Sequence, residues 1–167
     1  MKADDLILEL GLAPLPEEGG YFTETYRSEL KLPERVLGGS YLGERSGGTA
    51  IYYLLTPDTF STMHRLPGDE IYHLYLGGPV ETLMLYEDGT GETFRIGTDI
   101  KGGERPQLVI PARAWQGSRL ASGVEFALIG ATMAPGFEFA DFEVGGRAEL
   151  SGEYPDYKEL IEKLTGK

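Results

Sequence analysis

The chain has 167 residues, of which 41% are hydrophobic and 25% are charged, a composition that suits a globular protein with a hydrophobic core. Its net charge of −12 opposes binding to nucleic acids and to anionic membranes, and no segment reaches the roughly 20 apolar residues that a membrane helix needs. Cysteine is absent, which excludes a disulfide framework, and the acidic N-terminal segment is unlike a signal peptide, so we expect a cytoplasmic protein.

The predicted elements begin with a short helix. Asp4 and Asp5 lie at its start, where acidic groups interact favourably with the helix dipole, and Gly11 ends it. The segments that follow are rich in β-branched and aromatic residues and are separated by turns that contain Gly or Pro. We predict strands at Tyr21–Ser28, Thr49–Thr56, Thr59–Leu66, Glu70–Leu76, Val80–Glu87, Glu92–Ile96, Pro106–Ile110, Ala114–Leu120 and Val124–Met133. Residues 31–48 are predicted to form a long loop, and a terminal helix is predicted to begin near Pro155.

Many short strands at this spacing predict an all-β sandwich or barrel with short helices at the two ends. The 24 glycines and 10 prolines agree with the many turns that such a fold requires. We expect a single domain over residues 1–167. The segment PEEGG, residues 16–20, is predicted to be either a solvated turn or a loop that covers the mouth of a pocket.

Both histidines of the chain, His64 and His73, lie within one short segment that also contains Glu70. Because side chains alternate along a strand, Glu70 and Tyr72 are expected on one face of their strand and His73 on the other. The two histidines are therefore not expected in the same cavity unless a β-bulge intervenes. His64 and Glu70 form the candidate pair for chemistry.

Two segments carry a family resemblance. HRLPGDEIYHLYLG, residues 64–77, resembles the first motif of the cupin superfamily, which reads H-x-H, three or four residues, E, six residues, G. PARAWQ, residues 111–116, is similar to the second motif, P-x-G-x-x-H. With LGLAPLPEEGGYFTETYRS, residues 10–28, these segments resemble a small uncharacterised cupin family (cupin superfamily 5-like), which is itself similar to cupin-type nucleotide-sugar epimerases. The resemblance implies a double-stranded β-helix, or jelly-roll barrel, with a pocket between its sheets, and a homodimer.

The motifs depart from the superfamily at positions that hold a metal. The resemblance implies three histidines and a glutamate, but here Leu66 and Gln116 replace two of the histidines. Glutamine is a weak neutral ligand for a transition metal, and leucine is no ligand at all. We therefore expect either that no cofactor is required or that His64, Glu70 and Gln116 hold a divalent metal weakly.

The resemblance to epimerases predicts a small-molecule ligand in the barrel, sugar-like or carboxylated, and proton abstraction by His64 with Glu70 assisting it. Tyr53 and Tyr72 are the candidate catalytic acids. The predicted substrate-binding residues are Tyr52, Arg65, Trp115 and Gln116. Trp115 can equally be a core residue, whereas Arg65 fits better as a surface or interface ion-pair residue. Two alternatives stay open: a non-catalytic cupin that binds a small molecule, and a metal-dependent oxygenase with a degenerate metal site.

Overall fold

The computed structural model describes residues 2–166, which form short strands and three short helices. The strands are β1 (Ala13–Pro14), β2 (Tyr21–Arg27), β3 (Lys31–Leu32), β4 (Arg45–Ser46), β5 (Thr49–Leu55), β6 (Phe60–Arg65), β7 (Glu70–Gly77), β8 (Val80–Leu85), β9 (Gly91–Ile96), β10 (Gln107–Ile110), β11 (Trp115–Leu120), β12 (Ala127–Met133) and β13 (Glu143–Val144). The helices are α1 (Ala3–Glu9), α2 (Arg147–Glu153) and α3 (Lys158–Lys163). None of the helices in residues 2–166 has the length and apolar character needed to cross a membrane.

Two antiparallel sheets make up the barrel. One has six strands in the order β1-β2-β5-β12-β7-β10, and the other has five in the order β13-β6-β11-β8-β9. Inward side chains from both sheets form the central core. Its buried members are Leu15, Tyr53, Leu55, Tyr72, Val80, Met84, Ile96, Ile110, Ala114, Ala127, Ile129 and Ala131. The prediction of an all-β jelly roll with short terminal helices is confirmed.

The short helices cover the outer faces of the sheets. Asp5 accepts a hydrogen bond from the backbone N–H of Lys2 (2.8 Å), which caps α1, and Leu6 of this helix packs on the outside of the six-stranded sheet. Helices α2 and α3 bury Leu150 and Ile161 against the outside of the five-stranded sheet. These contacts bury the outward apolar residues of each sheet. They also stabilise the helices, because helices this short do not form in isolated peptides.

A β-bulge between β6 and β11 determines which side chains enter the barrel. Gln116 pairs with His64, but Ser118 pairs with Ser61, so one strand contains an extra residue between the two pairs. Ser61 and His64 are three positions apart and would normally point to opposite faces. The bulge allows both to face the barrel interior, together with Gln116.

Several features differ from the sequence-based expectations. The predicted loop at 31–48 contains β3, β4 and a 3-10 turn at Glu34–Val36. Helix α2 was not predicted, because Gly152 interrupts its sequence and Leu150 is its one buried residue. Strand β12 begins at Ala127, three residues after the predicted start.

Candidate functional site

A cavity of about 90 Å³ lies between the two sheets. Most of its wall is apolar, and four carboxyl groups line it: those of Glu18 and Glu70, and those of Glu24 and Glu138, which pair with Arg27 in the same wall. The apolar wall residues are Leu15, Phe22, Ile51, Leu66, Ala131, Met133, Phe137 and Phe139. Ligand sites commonly combine an apolar wall with a small number of polar groups, so this cavity is the candidate site.

Glu70 is the first residue of β7, and its side chain is buried on the inner face of the strand. The side-chain amide of Gln116 donates a hydrogen bond to Glu70 Oε2 (2.6 Å). The pKa of Glu70 is raised from 4.5 to about 7, mainly because burial removes the hydration of the carboxylate. The charge of Glu18 contributes to the increase, whereas His64 and the hydrogen bond from Gln116 oppose it. At neutral pH this carboxyl group therefore exists in both protonation states.

His64 lies next to Glu70 and is 1% exposed. Its Nδ1 is 2.7 Å from the carbonyl oxygen of Thr62, a contact that assigns the proton to Nδ1 and leaves the lone pair on Nε2. The ring stacks on Phe142 with 4.7 Å between ring centroids. Burial lowers the pKa of His64 below 6.5, although the nearby Glu70 opposes this effect, so the imidazole is neutral at pH 7.

Glu18 is a site residue that the sequence did not indicate. Ser61 Oγ donates a hydrogen bond to Glu18 Oε1 (2.7 Å), and burial raises the pKa of Glu18 to about 7. The expectation of a solvated turn at residues 16–20 was therefore wrong for this carboxyl group. The available signal was the pair of glycines after it: Gly19 and Gly20 have positive φ, and a Cβ on Gly19 would clash with the carbonyl oxygen of Phe60.

The two predicted catalytic tyrosines both point into the barrel and are each 1% exposed. The hydroxyl of Tyr53 donates to the carbonyl oxygen of Gly19 (2.9 Å) and so attaches the loop of residues 16–20 to β5. Burial raises the pKa of Tyr53 and of Tyr72 well above 10, so both phenols keep their protons at neutral pH.

Three of the predicted substrate-binding residues, Tyr52, Arg65 and Trp115, lie outside the barrel, so the structure does not bring them together with Glu70, and their role in ligand binding stays a prediction. Each is adjacent in sequence to an inward residue, and alternation directs it outward. Tyr52 contacts Tyr75 edge-to-face on the outside of the six-stranded sheet (5.8 Å between centroids). Trp115 packs beneath α2 and α3. Arg65 lies 4.4 Å from the centre of the Trp115 ring and binds Glu143 (2.7 Å). Gln116, the fourth predicted residue, is inside.

His73 lies on the outer face of β7, as alternation predicts. Its Nε2 is 3.1 Å from Thr132 Oγ1, and its Nδ1 is 3.2 Å from the amide of Gln107. His73 therefore does not share the cavity with Glu70.

The residues present do not fit a tightly bound transition metal. Gln116 directs its amide N–H₂ toward Glu70 and so occupies a carboxylate oxygen that a metal ion would need. The buried Oε1 of Gln116 lacks a hydrogen-bond partner among residues 2–166. Leu66 lines the cavity with a side chain that has no donor atom. Within this described range, no group of three or more His, Cys, Asp or Glu side chains is arranged to hold a metal ion. Weak binding of a divalent metal by His64, Glu70 and Gln116 stays a prediction.

Comparisons with known proteins agree with this geometry. An uncharacterised protein of Saccharomyces cerevisiae, YML079W, is 38% identical over 132 residues, which are 74% of this chain and 66% of the yeast protein. This chain therefore spans less than two thirds of the length of that relative. Two solved structures cover nearly the whole chain: a hypothetical protein from Leishmania major (28% identical, TM-score 0.89, 100% of both chains) and protein SO0799 from Shewanella oneidensis (32% identical, TM-score 0.88, 99% of this chain and 98% of that one).

None of these three names states an activity, and the comparisons do not support the expected similarity to nucleotide-sugar epimerases. The sequence profile of the family described as "Cupin superfamily (DUF985)" matches residues 4–145. This range includes the barrel strands, both cupin-like motifs and the loop that carries Glu18. The chain belongs to this family of the cupin superfamily.

Proposed function

We propose that this cupin binds a small hydroxy-carbonyl compound of the sugar type in the cavity between its sheets and transfers a proton to or from a carbon of that compound, as an isomerase or epimerase does. The observation that supports this proposal is Glu70, a buried carboxyl group in the cavity wall whose pKa is raised to about 7. A general acid or base works best when its pKa is close to the working pH, and Glu70 meets this condition.

The neighbours of Glu70 give the proton transfer a direction. Gln116 holds Oε2 through its hydrogen bond, which leaves Oε1 for the ligand. Neutral His64 lies close to Glu70, and its free Nε2 can hold a proton transiently. This assignment reverses the roles predicted from the sequence: Glu70 removes the proton, and His64 assists it.

The charges around the cavity favour a neutral ligand over a carboxylated one. Glu18 and Glu70 lie in the wall, and either of them would repel an anion when ionised. Arg27 at the rim is already bound to Glu24 (2.8 Å) and Glu138 (2.7 Å), so its charge is compensated. A cavity of about 90 Å³ is also below the roughly 300–1,000 Å³ that drug-sized ligands occupy, so the part of the ligand inside is small.

The test is solvent exchange into a small ketose. Dihydroxyacetone is incubated in D₂O at pH 7 with the wild-type protein, and loss of its carbon-bound protons is followed by ¹H NMR. We expect exchange above the buffer rate in the wild type and a loss of about 100-fold or more in Glu70→Gln. Glu87→Gln is the matched control, because Glu87 is 60% exposed and pairs with Arg113 at the surface. The exchange rate with this variant should equal the rate with the wild type.

The result can contradict the proposal in two ways. Wild-type exchange equal to the buffer rate would contradict proton transfer to this compound. If dihydroxyacetone raised the thermal midpoint without exchange, the function would be binding alone. Equal exchange in wild type and Glu70→Gln would remove Glu70 as the base.

A further inference from the structure

We propose that a groove on the outer face of the six-stranded sheet, beside helix α1, binds a small organic cation that has an apolar body and an alkylammonium group. The lining of this outer groove includes Asp5, Glu9, Tyr52, Tyr75, Leu76 and Leu128. Its volume of about 570 Å³ lies within the roughly 300–1,000 Å³ of small-molecule sites, whereas the barrel cavity has about 90 Å³. The site is separate from the barrel cavity and does not depend on the function proposed for that cavity.

The floor of the outer groove is a packed apolar surface. Leu6 of α1 and Leu128 of β12 are each 4% exposed and belong to one cluster, against which Tyr52 of β5 packs. Helix α1 is thereby fixed on the sheet and forms one wall of the groove. A groove with a packed floor keeps its shape without a ligand, which reduces the cost of ordering on binding.

A β-bulge in β7 forms the opposite wall. Leu74 pairs with Ile129 of β12, and Leu76 pairs with the preceding residue, Leu128. Tyr75 is therefore an extra residue on β7, and the bulge directs both Tyr75 and Leu76 to the outer face instead of alternating them. Their exposed fractions are 49% and 44%. Two adjacent apolar side chains held at the surface add little to the core, and exposed apolar surface of this kind is typical of a binding site.

Tyr75 and Tyr52 give the outer groove an aromatic corner. Their ring centroids are 5.8 Å apart, and the ring planes are perpendicular, at 89°. The Tyr75 ring lies against the backbone of Gly130, where a Cβ would clash with the ring, so the glycine allows the ring to lie close to the sheet. The faces of aromatic rings carry partial negative charge and attract alkylammonium groups.

Two carboxylates of α1 lie beside this aromatic corner. Asp5 and Glu9 are exposed and are four residues apart, so they lie on the same side of the helix, where like charges repel each other. The ion pairs formed within residues 2–166 include neither of them, and no Lys or Arg of this range lines the groove. An apolar corner next to two such carboxylates complements a ligand that has an apolar body and one positive charge.

Charge distinguishes this ligand from the other possible occupants of the outer groove. Both carboxylates and the net charge of −12 would repel an anion. A second copy of this chain would bring the same net charge to an acidic rim, so it complements the groove less well than a cation does. A neutral apolar compound would gain nothing from the two carboxylates.

The experiment is a titration of the full-length ¹⁵N-labelled protein with 2-phenylethylammonium at pH 7, followed by ¹H–¹⁵N NMR. Two further probes carry the same phenyl ring: 2-phenylethanol, which is neutral, and 3-phenylpropionate, which is an anion. We expect saturable shifts at residues 5–10, 75, 76 and 128 with the ammonium, at least about threefold weaker binding of the alcohol, and no saturation with the carboxylate. An increase in salt from about 20 mM to about 300 mM should weaken binding of the ammonium but not of the alcohol.

Two variants separate the contributions of charge and of the aromatic ring. Asp5→Asn combined with Glu9→Gln keeps the acceptor oxygen that caps α1 and should weaken binding of the ammonium about fivefold or more, without changing that of the alcohol. Tyr75→Leu keeps an apolar side chain and should reduce the preference for the ammonium over the alcohol about threefold. Asp4→Asn is the matched control, because Asp4 is exposed on the same helix but does not line the groove, so its affinity should stay within about twofold of the wild type. Circular dichroism confirms that each variant is folded.

The inference is overturned if the ammonium binds no more tightly than the alcohol, if the shifts lie at the barrel cavity instead, or if the folded double variant binds as the wild type does. Sedimentation velocity tests whether a second copy occupies the outer groove, and a wild-type dimer that Tyr75→Asp converts to a monomer would also overturn it. Saturable shifts at the groove that depend on the two carboxylates support the inference, whatever the result of the exchange test with dihydroxyacetone.

Discussion

Replacing Glu70 by glutamine measures how strongly the barrel opposes a negative charge at this position. Burial raises the pKa of Glu70 from 4.5 to about 7, so the folded protein holds this proton more strongly than the unfolded chain does. The protonated Glu70 side chain therefore contributes its full share to the free energy of unfolding below about pH 4.5. This contribution is lost as the pH rises through about 7. The two values differ by roughly 2.5 pH units, and each unit corresponds to about 1.4 kcal/mol, so the loss is about 3 kcal/mol. This is a large part of the roughly 5–15 kcal/mol that stabilises a typical domain.

The assay is urea unfolding of the wild type and of Glu70→Gln at a series of pH values from 4.5 to 9. Glutamine cannot ionise, so the free energy of unfolding of the variant, relative to the wild type, should rise by about 3 kcal/mol across this range and level off above pH 8. The same comparison for Glu87→Gln should stay flat, because Glu87 is exposed. A flat difference for Glu70→Gln would refute the reasoning, since it would mean that the carboxyl group is not desolvated in the folded protein.

Three further predictions concern the surroundings of the site. Gln116→Leu removes the hydrogen-bond donor to Glu70, so the pKa of Glu70 should rise further by about one unit or more. This pKa can be measured by ¹³C NMR of the labelled carboxyl group, and an unchanged value would contradict the hydrogen bond. Trp115→Ala should lower the free energy of unfolding by about 3 kcal/mol or more in urea, because the indole packs under the terminal helices. Deuterium exchange into dihydroxyacetone should stay unchanged, and altered exchange in a folded variant would place Trp115 at the site. Gly19→Ala should destabilise the protein by about 1–3 kcal/mol in the same assay, since Gly19 has φ +98° and its new Cβ would meet the carbonyl of Phe60; equal stability would refute the close approach.

Most of the barrel could be predicted from the sequence because its strands follow simple alternation between turns. Tyr53 and Glu70 were predicted for the pocket and do face inward, and His73 was expected on the other face of β7 and lies there. The same rule, applied to the neighbours of inward residues, would have placed Tyr52 and Trp115 outside. The homodimer, the cytoplasmic location and the catalytic roles stay predictions.

The rest of the site depends on contacts between distant segments, which a local pattern does not contain. The bulge that turns Ser61 inward is a mismatch between two strands, and it appears only when β6 is paired with β11. The burial of Glu18 depends on the hydrogen bonds that attach its loop to Thr62 and Tyr53. Locally, residues 16–20 have the composition of a solvated turn, so neither feature could be inferred from composition or periodicity.

The two substitutions in the cupin motifs agree with the proton transfer that we propose for this barrel. A divalent cation bound to a glutamate stabilises the carboxylate and lowers its pKa. In this chain Leu66 contributes an apolar wall, and Gln116 contributes one neutral donor to Glu70. Desolvation, together with the charge of Glu18 in the same cavity, raises the pKa of the Glu70 carboxyl group to about 7. With this pKa, Glu70 is in the range of a general acid–base group.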